Sequence, residues 1–143
     1  MKKILVVNAD YYKNISSLLI DGAKKVLKDN KIKLSIINVP GVFEIPVTIS
    51  RNIKKFDAFI ALGCVIKGDT PHFSLICNST FDALMKISVD SKKPIGNGII
   101  TALNMEQAKI RSSLINKNAL KPNKGSEAAK AAISVLNNEP KKV

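Results

Sequence analysis

Four short runs of apolar residues, separated by stretches with a helical period, constrain this chain more than any other feature. They are Ile4–Asn8, Leu34–Asn38, Ala58–Ile66 and Gly98–Leu103. The third reads Ala-Phe-Ile-Ala-Leu-Gly-Cys-Val-Ile, without a single charge. Continuous rather than alternating apolarity marks strands covered on both faces, as in a parallel sheet. Ile15–Lys28, Phe43–Lys54, His72–Val89, Met105–Ile115 and Ser126–Leu136 read as helices. In the first of these, Ile15, Leu18, Leu19, Gly22 and Val26 fall on one stripe. The order βαβαβαβαα predicts a three-layer α/β fold: a four-stranded parallel sheet with helices on both faces.

A length of 143 residues suits one domain spanning 1–143, with a sizeable core. No internal repeat or low-complexity stretch divides it. Asn116–Lys124 reads as a polar loop joining two helices, and Asn137–Val143 as a frayed tail. At 45% hydrophobic residues the chain is a packed globule rather than a disordered segment. No apolar stretch is long enough to span a bilayer, so no membrane partner is expected. The start, Met1-Lys-Lys-Ile-Leu-Val-Val-Asn8, lacks the apolar core and cleavage site of a secretory leader, which predicts a cytoplasmic protein. Cys64 and Cys77 stand in apolar surroundings without metal-ligand spacing, the pattern of buried free thiols.

The formal net charge is +12. Of 23 cationic residues only Arg51 and Arg111 are arginine. The lysines are scattered along the sequence rather than gathered in one basic run. Solvated helix faces account for such a distribution, and no nucleic-acid partner is expected. A phosphorylated small-molecule substrate would benefit from the positive field.

Open parallel sheets bind ligands beyond the carboxyl ends of their strands. The informative residues therefore follow each run. After the third comes Lys67-Gly68-Asp69-Thr70-Pro71-His72-Phe73, in which Thr70 can cap a helix and Pro71 can open it. Helix N–H groups and dipole then face the ligand edge, as in an anion site or an ordinary capped helix. His72 is the only histidine. Imidazole both gives and takes a proton near neutrality, so His72 is either a proton carrier or a structural residue in the first turn. Val39-Pro-Gly-Val-Phe-Glu-Ile-Pro46 is a Pro-Gly turn entering a helix. Its Glu44 can favour the helix dipole or accept hydrogen bonds from a polyol. Tyr11 and Tyr12 follow the first run, where an aromatic can stack on a heterocycle or pack into the core. Arg111 offers the bidentate fork for phosphate that lysine lacks, or a surface ion pair. No Gly-rich dinucleotide loop, P-loop, metal-ligand spacing or Ser-His-Asp ordering occurs, so no metal and no cofactor is expected.

Taken together, these segments resemble the 6,7-dimethyl-8-ribityllumazine synthase family. The resemblance rests on Val39–Pro46, on Ala61-Leu-Gly-Cys-Val-Ile-Lys-Gly-Asp-Thr-Pro-His-Phe73, on Gly98-Ile-Ile-Thr101, on Met105-Glu-Gln-Ala108 and on Asn123-Lys-Gly-Ser-Glu-Ala-Ala129. It runs from about Ile4 to Leu136, and the segments occur in the family's order. It implies a flavodoxin-like fold and a transferase of riboflavin biosynthesis that needs no cofactor. The implied reaction condenses 5-amino-6-(D-ribitylamino)uracil with 3,4-dihydroxy-2-butanone 4-phosphate and releases phosphate and water. By the same resemblance Tyr11 matches the aromatic that stacks on the pyrimidine. Val42, Phe43, Glu44, Cys64, Val65 and Ile66 match the segments around the ring and ribityl chain. Asp69, Thr70, Arg111 and Lys124 match the phosphate-binding set, and His72 the proton-transfer residue. Asn97 falls on the ring-binding wall.

The resemblance further implies a homo-oligomer, a pentamer, with sites between adjacent chains and Asn97, Arg111 and Lys124 supplied by the neighbour. There are departures. Asn97 stands where many members carry Phe, and Lys67 where Arg is usual. The link Ser112–Pro122, with Asn116, Lys117, Asn118 and Lys121, is longer than the family's. With the short N-terminus and the charge, that link predicts a free pentamer rather than a closed shell of pentamers. An archaeal-type riboflavin synthase, or a non-catalytic lumazine or flavin carrier on the same scaffold, is the alternative. The complete segment through His72 and the phosphate-matching Arg111 count against both.

Overall fold

A computed structural model describes residues 1–115 and 122–143. Each apolar run forms a strand: β1 is Lys3–Ala9, β2 Lys33–Val39, β3 Ala58–Ile66 and β4 Ile95–Ala102. All pair in parallel, in the order β2-β1-β3-β4. Helix α1 spans Lys13–Asp29. A 3-10 turn at Val42–Glu44 runs into α2 at Ile45–Arg51, followed by α3 at His72–Ser91, α4 at Met105–Ser112 and α5 at Lys124–Asn137. The expected element order and parallel sheet are both present.

Alternation along the strands splits the interior into two cores, because successive side chains point to opposite faces. Ile4, Val6, Ile60, Leu62 and Ile100 face α1, α4 and α5, meeting Ile15, Leu19, Ala108, Ala129 and Ala132. Leu5, Val7, Phe59, Ala61 and Ile99 face the other way, meeting Val42, Ile45 and Ile49 of the 3-10 turn and α2 and Leu84 of α3. β1 and β3 are dry on both sides, as their continuous apolarity requires. β2 departs from that expectation. It is an edge strand, and Ile36 is 36% exposed.

Other boundaries also differ. β4 begins at Ile95 rather than Gly98, although glycines at 96 and 98 would ordinarily weaken a strand. Here the glycines serve close approach instead: a Cβ on Gly96 would overlap the Ala128 carbonyl of α5. α2 stops at Arg51 rather than Lys54, its end closed by Asn52, whose Nδ2 donates to the Thr48 carbonyl at 2.8 Å. α4 stops at Ser112 rather than Ile115. The expected cap also moves by one residue. Pro71 takes the cap position of α3, and the Thr70 hydroxyl accepts a long bond from the His72 N–H at 3.4 Å. The expectation about Asn116, Lys117, Asn118 and Lys121 falls outside the described residues.

Charge is redistributed by the topology. Lysines scattered along the sequence precede or begin each strand, and in a parallel sheet every strand begins on the same edge. Part of the scattered lysine is thereby gathered on one edge, while Lys24, Lys25, Lys109 and Lys130 lie on solvated helix faces as expected.

Buried Asn123 ties three helices together. Its Nδ2 donates to the carbonyls of Leu18 at 3.2 Å and Ser112 at 2.7 Å, while its Oδ1 accepts from the Ser126 N–H at 3.0 Å. One amide thus caps α5, closes the end of α4 and holds α1. Asn123→Ala would strand buried backbone groups, at a cost of about 1–3 kcal/mol. Denaturant unfolding should show a lower midpoint with an unchanged slope; an unchanged midpoint would show that water replaces the amide.

Candidate functional site

The chain runs outward from β1 to β2, then returns to β3 on the other side of β1. Their carboxyl ends leave a crevice at this reversal, the place where open α/β sheets take ligands. A pocket of about 370 Å³ lies there, lined by Ala9, Tyr11 and Tyr12 after β1, Gly41–Glu44 after β2, Cys64–Ile66 of β3, and His72 and Ile76 of α3. Eight of the sequence-derived residues are brought together: Tyr11, Val42, Phe43, Glu44, Cys64, Val65, Ile66 and His72.

Local sequence explains their presentation. Tyr11 and Tyr12 pack edge to face, with ring centroids 4.9 Å apart. Tyr12 packs against the α1 core, while Tyr11 is 74% exposed and Phe43 63% exposed. Two aromatic faces therefore stand free at the mouth. Val42 is buried and anchors the 3-10 turn, so Phe43 must point outward and Glu44 lies half-buried beside it. His72 opens α3 and is exposed to the pocket. Burial pushes the Cys64 thiol up to about 11. Tyr12 is also raised, first by burial and then by proximity to Cys64 and Tyr11. The floor is thus neutral, suited to a planar uncharged ring rather than an ion.

A second pocket, of about 380 Å³, lies on the β4 side. It joins Asn97, Ile99–Ala102, Gln107, Ile110, Arg111 and Lys124 with Phe81 of α3. Arg111 makes no ion pair among the described residues, whereas Lys124 pairs weakly with Glu127 at 3.4 Å. The Asn97 Oδ1 accepts the Ile99 N–H at 3.1 Å, which leaves its NH2 group to donate. This pocket fits an anion with a neutral acceptor. One chain therefore holds the sequence-derived residues as two separate groups. Asp69 and Thr70 line neither pocket; they are exposed on the loop entering α3.

Sequence reasoning passed over Gln107, which lines the second pocket. Its N–H donates to Asn104 Oδ1 at 2.9 Å, and its own Oε1 accepts the Leu103 N–H at 2.8 Å. The Asn-x-x-Gln spacing of this capping box was a readable signal. Among the described residues, no cluster of three His, Cys, Asp or Glu could hold a metal ion, and no helix is long and apolar enough to cross a membrane.

A parallel α/β sheet with an aromatic-rimmed pocket at its reversal point and a cationic pocket on its flank defines the class of fold and site. A family model described as 6,7-dimethyl-8-ribityllumazine synthase matches residues 1–139, and the chain belongs to that family. Relatives bearing that name include the Zymomonas mobilis protein, 39% identical over 139 residues, covering 96% of each chain. The Bartonella tribocorum protein is 40% identical over 136 residues, covering 93% of this chain and 87% of its own. The Novosphingobium aromaticivorans protein is 36% identical over 138 residues, covering 95% of each.

The raised thiol of Cys64 sets a chemical expectation. A thiol held protonated until about pH 11 resists alkylation, because the thiolate is the nucleophile. Iodoacetamide should label native Cys64 slowly in mildly alkaline buffer, faster as the pH climbs toward that value, and readily once the chain is unfolded. Rapid labelling of the native protein at neutral pH, located by mass spectrometry, would contradict a desolvated floor.

Proposed function

We propose that this protein condenses 5-amino-6-(D-ribitylamino)uracil with 3,4-dihydroxy-2-butanone 4-phosphate to 6,7-dimethyl-8-ribityllumazine. The observation that carries this reading is the pairing of an aromatic-rimmed pocket bearing Glu44 and the sole imidazole with a separate pocket bearing Arg111. The heterocycle stacks on Tyr11 and Phe43, and its ribityl chain reaches Glu44. The strand end Cys64–Ile66 forms the floor. Arg111 and Lys124 hold the phosphate of the ketone, with Asp69 and Thr70 closing the anion site from the loop before α3.

The substrate amine attacks the ketone and water leaves, giving an imine. Loss of the proton from the adjacent hydroxyl-bearing carbon then expels phosphate and leaves an enol, which tautomerises to a new carbonyl; the ribitylamino nitrogen attacks that carbonyl and a second water leaves. Each step moves a proton, and His72 is placed to carry it. Holding both substrates in register supplies the rest of the acceleration. Asn97 offers its amide NH2 to a ring carbonyl in place of an aromatic wall, and Lys67 contributes charge near the phosphate. The reading places the protein in the cytoplasm.

The same reading makes the protein a homo-oligomer, a pentamer, in which one chain's β4-side pocket closes over its neighbour's switch-point pocket. Support comes from the division of the assigned residues between two pockets of a single chain.

The decisive experiment mixes both purified substrates with the protein and follows lumazine fluorescence. His72→Ala should lower turnover by about ten- to ten-thousand-fold; full activity in that folded variant would remove His72 from the chemistry. Sharing of the site is tested by mixing two impaired variants. Subunits carrying His72→Ala and subunits carrying Arg111→Ala, unfolded and reassembled together, should regain a fraction of wild-type activity, since some hybrid interfaces carry neither change. Mixtures no better than the average of the two variants would place His72 and Arg111 in the same chain's site.

A further inference from the structure

The sheet edge opposite the candidate site holds much of the chain's positive charge. Lys2 and Lys3 enter β1, Lys31 and Lys33 enter β2, Lys54 and Lys55 precede β3, and Lys92 and Lys93 precede β4. Lys3 and Lys33 are direct neighbours in the β1–β2 register. Adjacent strands lie about 4.8 Å apart, so the pairs form a row roughly 15 Å wide. Lys93 is occupied, its Nζ donating to the carbonyls of Ile53 at 2.5 Å and Phe56 at 2.8 Å. The other lysines of the row make no ion pair or side-chain hydrogen bond among the described residues. Of the nearby carboxylates, Asp29 is exposed at the end of α1, Asp57 accepts the backbone N–H of Lys3 at 2.7 Å and Asp90 pairs with Lys86 at 2.8 Å.

Backbone conformation supplies a second observation. Among the described residues, the non-glycine residues with left-handed backbone are Lys31, at φ 54°, and Lys92, at φ 59°. Both follow a helix, where glycine or asparagine is the usual occupant because a Cβ is strained there. A cation near a helix C-terminus is favoured by the dipole. Lys28 in the last turn of α1 already meets that need without strain. Lysine has been placed at two positions where it costs backbone energy, and both lie on the same edge.

We propose that this edge binds the phosphate backbone of a nucleic acid without regard to sequence. Charge is what it offers. Within residues 1–3, 28–33, 54–57 and 92–94, Met1 is the one exposed large apolar side chain, and Phe56 is half-buried against the core. It therefore has neither an aromatic platform for bases nor the apolar anchor that a lipid surface calls for alongside charge. Duplex DNA carries one negative charge per about 1.7 Å of axis, a density that suits a continuous row of cations. The sequence expectation of no nucleic-acid partner considered lysines scattered along the chain and the lack of a recognition motif; the fold gathers eight of those lysines on one edge.

The test titrates the full-length protein into a short, labelled, random-sequence DNA duplex at several salt concentrations. The parent should bind at physiological salt with log affinity falling linearly against log salt. The Lys31→Gly, Lys92→Gly double variant should bind on the order of tenfold more weakly at low salt and lower the slope by about two. It should melt no earlier than the parent, since glycine suits the left-handed backbone, and should keep its lumazine-forming activity. A Lys109→Ala, Lys130→Ala variant removes equal charge elsewhere and should keep the parent's slope. The proposal is overturned if both variants lose slope equally, if the parent does not bind duplex at physiological salt, or if it binds anionic vesicles more tightly than duplex.

Discussion

The structure depends on β1 and β3 being paired in parallel while dry on both faces. No water reaches their backbone groups, so each must be satisfied by a neighbouring strand. That requirement sets the sheet order, places helices on both sides and sends every strand in the same direction. Strand carboxyl ends are thereby collected on one edge and strand starts on the other. The candidate site and the lysine row are the two results. Neither is a local sequence feature, because each gathers residues far apart in the chain.

How much of this was legible in the sequence follows from the range of each interaction. β3 was read to the residue, because Ala58–Ile66 is apolar throughout and buried on both sides. The start of β4 was misread, since Gly96 and Gly98 count against a strand until α5 is known to cross them. β2 was taken for a covered strand, although its edge position leaves Ile36 partly wet. Tyr11, Phe43, Cys64 and His72 converge because each directly follows, ends or caps an element whose position was predicted. Gln107 was passed over although its capping box was readable, because its role depends on how α4 sits beside β4. The lysine row was missed for a different reason. Dispersion in sequence was equated with dispersion in space, an inference that fails whenever strands run parallel.

The two pockets differ in what they ask of a ligand. The switch-point pocket is rimmed by aromatics and Glu44, with a thiol pushed away from ionisation at its floor. The β4-side pocket is polar, with Arg111 free of ion pairs among the described residues. In a single chain both surfaces are open to water: Tyr11 and Phe43 stand exposed, and an unpaired guanidinium is least costly where it stays hydrated.

The two cores on either side of the sheet also have different grain. On the α1–α5 side, side chains such as Ile15, Leu19 and Ile60 pack around two close main-chain crossings: a Cβ at Gly125 would overlap the Leu19 carbonyl, and one at Gly96 the Ala128 carbonyl. On the α2–α3 side, contact is made by whole side chains such as Phe59, Ile45, Ile49 and Leu84. On the first side, where glycines meet main chain, no rotamer freedom is left to absorb an added methyl group. The second is an assembly of flexible parts that can repack around a substitution. Engineering and natural drift thus meet an uneven molecule: side-chain contacts on the α2–α3 face can be reshaped, while the glycine crossings of α5 with β4 and α1 act as fixed points.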